Sequence, residues 1–344
     1  MNRRRFLTTA IATGAATQLH AAESTKVRIG QIGTQHAHAA GKMDGLRHLS
    51  DLYEVVGVAG ADESAGGSYK DLPRFEIDQL LAQPGLQAVT VETRIEDSCG
   101  TALRALKAGK HVHLDKPGAI DHADFVTMRQ EADKLGLTVQ MGYMLRYNPA
   151  FTLLFQAHRE GWLGEILEID AMIGKLGDAR TRKGIGALEG GGMFELACHV
   201  IDAALTLMGK PREVHSFSTP SKPEDKVKDN QLAVLAYPKA TVTIRCNHAD
   251  PFGGPRRRFQ VAGTKGAMEI IPLESGEAIL YLDAPHSPWK KGRQQVKLEV
   301  PKGRYDNDLI DFAKVVRGEK KLAWDSAHDI AVHETVLRAA GMRV

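Results

Sequence analysis

The chain has 344 residues, 43% hydrophobic and 25% charged, a balance that excludes disordered, collagen-like and membrane-bundle proteins and a length that fits two domains. Its formal charge of +3 matches the run Arg3, Arg4, Arg5, and the remainder is balanced, so neither nucleic acid nor an anionic membrane is expected as a partner. Cys99, Cys198 and Cys246 make no disulfide framework and lack the paired spacing of a zinc site.

The N-terminus, "MNRRRFLTTAIATGAATQLHAAE", sets arginines before Phe6 and Leu7, continues with a modestly apolar stretch and ends in small residues at Ala21 and Ala22. It resembles a twin-arginine export signal over residues 1–23, which gives a periplasmic location for a protein exported already folded. The apolar stretch is too short to span a bilayer, so no membrane insertion is expected.

From residue 26, strand-like and helix-like segments alternate. "KVRIGQIG" reads as a strand ending in glycine, with a helix opening near residue 37; "YEVVGVAG" and "LQAVTVE" are further strands. A helix is expected over 98–107, "KHVHLD" as a strand, a helix over 121–136 and "LTVQMGYM" as the last strand. This alternation predicts a doubly wound parallel sheet of Rossmann type over 24–146. The rest, 147–344, has another rhythm: a helix in "NPAFTLLFQAHREGWLG", the strand "EILEIDAMIG", then "GGGMFELACHVID" as one helix. "QLAVLAY" turns into "TVTIRCNHA" and "RFQVAG" into "AMEIIP", which predicts a C-terminal α/β domain with a large open, mostly antiparallel sheet. Helices at 306–317 and 326–340 close the chain, with room to pack back on the first domain.

In the first turn, Gly30 and Gly33 allow a tight reversal that aims a helix N-terminus at a diphosphate. The full G-x-G-x-x-G pattern fails, because Gln35 and His38 occupy its other two glycine positions. Thr34, Gln35 and His36 belong to this turn and are candidate cofactor contacts. After the second strand, Asp62 is placed to meet the adenosine ribose, and no neighbouring arginine proposes itself for a 2′-phosphate, so NAD is preferred and NADP remains possible. Thr93 and Arg94 after the third strand complete the candidate cofactor set with Asp115 and Lys116. Lys116 and Pro117 directly follow a buried-looking strand, at the sheet edge where ligands bind in this architecture; a lysine there can stabilise charge developing on a reacting oxygen.

Glu195, His199 and Asp202 lie four and three apart, so on one helix they share a face. An imidazole suits proton transfer near neutral pH. A carboxylate and imidazole at that spacing could also ligate a divalent ion, but no third ligand accompanies them and no metal is expected. Tyr143 and Arg146 are placed either to contact sugar hydroxyls or to brace the domain junction, and Asp202 either to meet substrate or to satisfy a polar seam. Arg180, in the loop "KLGDARTRKGIG", is a further substrate candidate.

The order of glycine turn, Asp115-Lys116-Pro117, and three glycines leading to Glu195-x-x-x-His199-x-x-Asp202 resembles the Gfo/Idh/MocA family of sugar and cyclitol oxidoreductases, from about residue 26 to the C-terminus. The resemblance implies Lys116 as the catalytic lysine beside the nicotinamide, His199 as the general acid/base, and Glu195, where aspartate is usual, as a substrate or histidine partner. It implies NAD(P)-dependent hydride transfer on a sugar, glycoside or polyol, and self-association through the C-terminal sheet. Two alternatives stand beside it: a glycoside lyase or hydrolase that recycles a tightly bound NAD, and a non-catalytic sugar-binding protein on the same scaffold. Arg94 replaces the proline of the family's usual T-P-N, a further mark of divergence.

Overall fold

The computed structural model describes residues 26–344 except 63, 64, 223 and 225; the proposed export signal lies outside the described residues. Strands β1 Val27–Ile32, β2 Tyr53–Ala59, β3 Arg74–Phe75, β4 Ala88–Val91, β5 His111–Leu114 and β6 Val139–Met141 alternate with helices α1 Ala39–His48, α2 Ile77–Leu81, α3 Ile95–Lys107 and α4 His122–Leu135. They form a parallel sheet ordered β3-β2-β1-β4-β5-β6, so the winding reverses between β1 and β4. Ligands bind at that crevice in doubly wound sheets. β4 is buried along its whole length, as a strand covered on both faces must be. Asp121 caps α4 by accepting from the Asp124 amide at 3.0 Å, and Gly136 at φ +65° ends it.

The second half contains α5 Pro149–Arg159, β7 Ile166–Gly174, α6 Ala179–Gly186, α7 Gly191–Glu195, α8 Cys198–Met208 and β8 Glu213–Thr219. Strands β9 Asn230–Ala236, β10 Thr241–Asn247, β11 Arg258–Gly263, β12 Gly266–Ile270, β13 Glu277–Leu282 and β14 Gly292–Lys297 follow, then α9 Asp306–Val316 and α10 Ser326–Ala339. The eight strands run in the order β14-β13-β12-β11-β7-β10-β9-β8. They are antiparallel except for β10 against β7. β9 alternates buried and half-buried positions, the pattern of a sheet with one face packed.

Three local expectations need correction. The helix placed at 98–107 starts at Ile95, where Glu96 and Asp97 in its first turn suit the positive helix end. The segment read as the loop carrying Arg180 is α6, capped by Asp178, which accepts from the Thr181 amide at 2.7 Å. Residues 191–208 are two helices, because the Gly192 carbonyl accepts both the Leu196 amide at 2.9 Å and the Ala197 amide at 3.3 Å and the ladder slips by one residue.

One apolar core runs from Ile32 in the parallel sheet through α8 and the second sheet to Ala340. The last two helices return to the first half. Leu309 and Phe312 of α9 pack with Val27, Ile29 and Tyr53. Beneath them Asp308 accepts from Lys42 Nζ at 2.6 Å and lies 2.9 Å from His113 Nε2, all three side chains buried. Burial opposes its ionisation, but His113 and Lys42 hold the Asp308 carboxyl well below the usual range. Removing one member strands buried charge. Asp308→Ala is expected to cost about 3–5 kcal/mol, read as a lower urea midpoint at constant slope.

Candidate functional site

Lys116 sits two residues past the end of β5, after Asp115, and its side chain is 1% exposed. Its ammonium donates to the Glu195 backbone carbonyl at 2.7 Å and to Glu195 Oε1 at 3.1 Å. The ladder slip makes this possible. In an unbroken helix the Glu195 carbonyl would accept from the His199 amide, which here turns to Leu196 at 3.5 Å instead. Burial would lower the lysine's pKa, but Glu195 outweighs it and the net shift is upward. Burial likewise opposes charge on Glu195, yet Lys116 pulls its pKa down to about 2. The pair is ionised at any physiological pH.

Glycines place this pair. Gly191 has φ +58°, and a Cβ on it would overlap the Lys228 carbonyl; one on Gly192 would overlap the His248 ring. The approach of α7 to β9 and β10 needs both.

His199, near the start of α8, is 2% exposed and stands edge-on to Tyr143, with ring centroids 6.1 Å apart. Burial first, then Lys116 and His38, press its pKa well below 6.5, so the imidazole is neutral at pH 7. Its Nδ1 has no hydrogen-bond partner. Lys116, Glu195 and His199 therefore come together, contributed by both halves of the chain.

The substrate candidates fare differently. Arg146 Nη2 donates to Asp202 Oδ1 and to Asp329 Oδ1, both at 2.6 Å, and His328 Nε2 lies 3.1 Å from Asp202 Oδ1. Arg146 and Asp202 are sealed in this cluster, so they brace the junction instead of facing substrate. Tyr143 is buried between His199 and the Arg146 guanidinium, which lies 4.9 Å from its ring centre. Arg180 is exposed on α6, whereas Lys116 and His199 are buried.

The cofactor candidates line the carboxyl edge of β1, β2 and β4. Gly33 has φ +87°, and a Cβ there would come 2.7 Å from the Thr93 amide nitrogen, so only glycine lets the first turn lie against the end of β4. A groove of about 580 Å³ opens beside it, lined among others by Gly33, Gln35, Gly60, Thr93 and Arg94. Gln35 donates to the Gly60 carbonyl at 3.1 Å and to Asp62 Oδ1 at 3.0 Å. The Asp62 amide donates to Thr34 Oγ1 at 3.0 Å. Gly30 lies within β1 against Leu80, and supports the sheet from below the groove. These residues fit a dinucleotide: an open groove at the winding reversal, a glycine turn, and a carboxylate at the end of β2. α1, which follows, has no acid in its first turn and no side-chain cap; its Ala39 amide donates to the His36 carbonyl at 3.1 Å, which leaves those of Ala40 and Gly41 for an anion.

Sequence reasoning missed two residues here. Arg74 on β3 donates to the Asp62 carbonyl at 3.1 Å, bringing to the ribose position the arginine not foreseen, because only the pairing of β3 with β2 turns it back toward Asp62. Glu92, at the end of β4, is 0% exposed and faces His36, with Oε2 3.5 Å from Nδ1. Its only sequence signal was a lone acid closing an apolar strand.

A parallel sheet with a dinucleotide groove whose lysine is met by a carboxylate and an imidazole from a second, open-sheet half defines a two-domain nicotinamide-dependent oxidoreductase. The chain belongs to the GFO/IDH/MocA family: residues 27–143 match its oxidoreductase domain with an NAD-binding Rossmann fold, and residues 151–269 match its C-terminal domain. It is 26% identical to uncharacterized oxidoreductase ORF334 of Rhizobium meliloti over 71% of this chain and 74% of that one. It is 24% identical to scyllo-inositol 2-dehydrogenase (NADP(+)) IolW of Bacillus subtilis over 60% of this chain and 57% of the relative. UDP-N-acetylglucosamine 3-dehydrogenase GnnA of Acidithiobacillus ferrooxidans shares the fold, with a TM-score of 0.76 at 17% identity over 92% of this chain and 97% of the other. The protein is thus an NAD(P)-dependent oxidoreductase of this type.

The neutral His199 has a measurable consequence. Below pH 6.5 an unfolded chain protonates this histidine, while the native site resists, so the unfolded state binds more protons and stability falls with falling pH. His199→Gln is expected to lose about 1–2 kcal/mol less than the parent between neutral pH and pH 5, measured by urea unfolding at both pH values.

Proposed function

We propose that the protein interconverts a secondary hydroxyl and a carbonyl on a sugar, glycoside or polyol, with Lys116 and His199 as its catalytic residues. One observation carries this reading: a buried ammonium, fixed by Glu195 from the second half, stands beside a neutral buried imidazole at the carboxyl edge of the parallel sheet. An ammonium has three donors. Two are committed to Glu195, and the third is free for a substrate oxygen. Lys116 then stabilises the negative charge that grows on that oxygen as the carbonyl forms. His199, kept neutral by burial and by the adjacent ammonium, takes the hydroxyl proton, and returns it in the reverse direction. When bound, a nicotinamide dinucleotide supplies the hydride acceptor or donor. Gly33, Thr34, Gln35, Asp62, Thr93 and Arg94 hold it from the groove side.

The substrate class draws support from the relative in Bacillus subtilis named as a scyllo-inositol 2-dehydrogenase and from the Gfo/Idh/MocA resemblance. Asp62 favours NAD, while Arg74 beside it keeps NADP open. The arginine run at the N-terminus supports export with the cofactor already in place. The exposed Leu167 and Phe217 on the second sheet support self-association there.

Lys116→Ala is expected to lower kcat about 10²–10³-fold with sugar or polyol substrates, while dinucleotide still co-purifies and is recovered from the denatured protein by mass spectrometry. A parent protein that neither contains nor binds NAD(H) or NADP(H) overturns the reading.

A further inference from the structure

We propose that His36, His38, Asp115 and Glu92 form a divalent-cation site, of zinc or a similar borderline ion, at the carboxyl edge of the parallel sheet. This departs from the expectation that the chain holds no metal, and it uses other residues than the Glu195 and His199 pair first considered for one. It does not depend on the oxidoreductase reading.

Three segments meet here. His36 and His38 stand in the turn after β1, Glu92 directly follows β4 and Asp115 directly follows β5. Donor atoms of His36, His38 and Asp115 lie within 4.8 Å of one another, the one such group among the described residues. His38 Nδ1 is 3.0 Å from Asp115 Oδ2, and His36 Nδ1 is 3.6 Å from the same oxygen and 3.5 Å from Glu92 Oε2. The last two separations are too long for good hydrogen bonds. They match the edge of a ligand tetrahedron, about 3.3 Å when each donor stands about 2.0–2.1 Å from a zinc ion.

Glu92 is the independent witness. It is 0% exposed, and neither carboxylate oxygen makes a close hydrogen bond; its one polar neighbour is His36 Nδ1 at 3.5 Å, and burial and Asp115 raise its pKa. Burying a carboxylate against a single long imidazole contact is costly, and Asp115 places a second carboxylate nearby. The neighbouring lysines do not serve them directly: Lys116 Nζ is bound to Glu195, and Lys42 Nζ to Asp308 and His113. Two imidazoles remain, one between the carboxylates and one against Asp115. Two imidazoles and one or two carboxylates are a donor set for zinc, and equally for iron or manganese where positions stay open. His36 and His38 side chains are 9% and 16% exposed, so an ion has a route in from solvent.

The test uses the protein purified without a polyhistidine tag, stripped with chelator and titrated calorimetrically with Zn²⁺, with Co²⁺ added in parallel for its visible spectrum. The expected result is one Zn²⁺ per chain. The double variant His36→Ala, His38→Ala should lose more than the about 10–100-fold in affinity that loss of an outer partner costs. Glu92→Gln, which keeps the side-chain volume, should weaken binding and change the Co²⁺ spectrum, and circular dichroism establishes that each variant is folded. Absence of stoichiometric binding by the parent overturns the proposal. So does binding that survives the double histidine variant or is lost only in Glu195→Gln.

Discussion

The contact on which the site depends is the one between Lys116 and Glu195. A lysine that is 1% exposed cannot keep its charge without a partner. The partner arrives from the second half, and it arrives twice, as carboxylate and as backbone carbonyl. The carbonyl is free only because the helix ladder slips after Gly192. That slip in turn needs the chain to lie against Lys228 and His248 more closely than any side chain allows. Two of the three consecutive glycines, Gly191 and Gly192, are here the condition for a fixed charge pair.

Two buried ionic clusters hold the halves in the relation this pair requires. On one side Asp308 of α9 binds Lys42 of α1 and His113 of β5. On the other, Arg146 joins Asp202 of α8 to Asp329 of α10 and lies under the Tyr143 and Trp324 rings at 4.9 and 4.7 Å. Replacing such clusters by apolar groups is often neutral or stabilising, so they are poor candidates for raw stability. Their value is positional. A carboxylate on the wrong side of either cluster would be stranded, and so each permits one docking of the last two helices.

The legible parts of the fold were those written locally. Alternating apolar strands, the Asp121 cap with Gly136, and the hairpins around 238–239 and 264–266 each carry their own chemistry in a few residues. Lys116 was legible for the same reason, standing directly after a strand. What failed was what depends on contacts distant in sequence. The periodicity of 191–208 is helical throughout, and only packing against β9 and β10 reveals the slip. The sequence leaves Arg146 and Asp202 open between sugar contact and brace, and α10, nearly two hundred residues from Arg146, decides for the brace. Arg74 meets Asp62 through the pairing of β3 with β2. Glu92 becomes meaningful only when the β1 turn carries His36 to it.

The two residues that break the glycine fingerprint are not losses. Gln35 ties the turn to Gly60 and Asp62, and His38 ties it to Asp115. Glycines at those positions would let a diphosphate approach the backbone closely; here side chains occupy that edge and supply contacts of their own. The exchange has an electrostatic consequence. The uncapped N-terminus of α1 favours an anion, yet Glu92 and Asp115 place buried carboxylates a few ångströms away. Like charges in a dry pocket repel strongly. An anionic cofactor can therefore share this edge only if positive charge stands between it and the carboxylates. His36 and His38 occupy that position, and whatever they carry, proton or cation, governs how the groove receives its ligand.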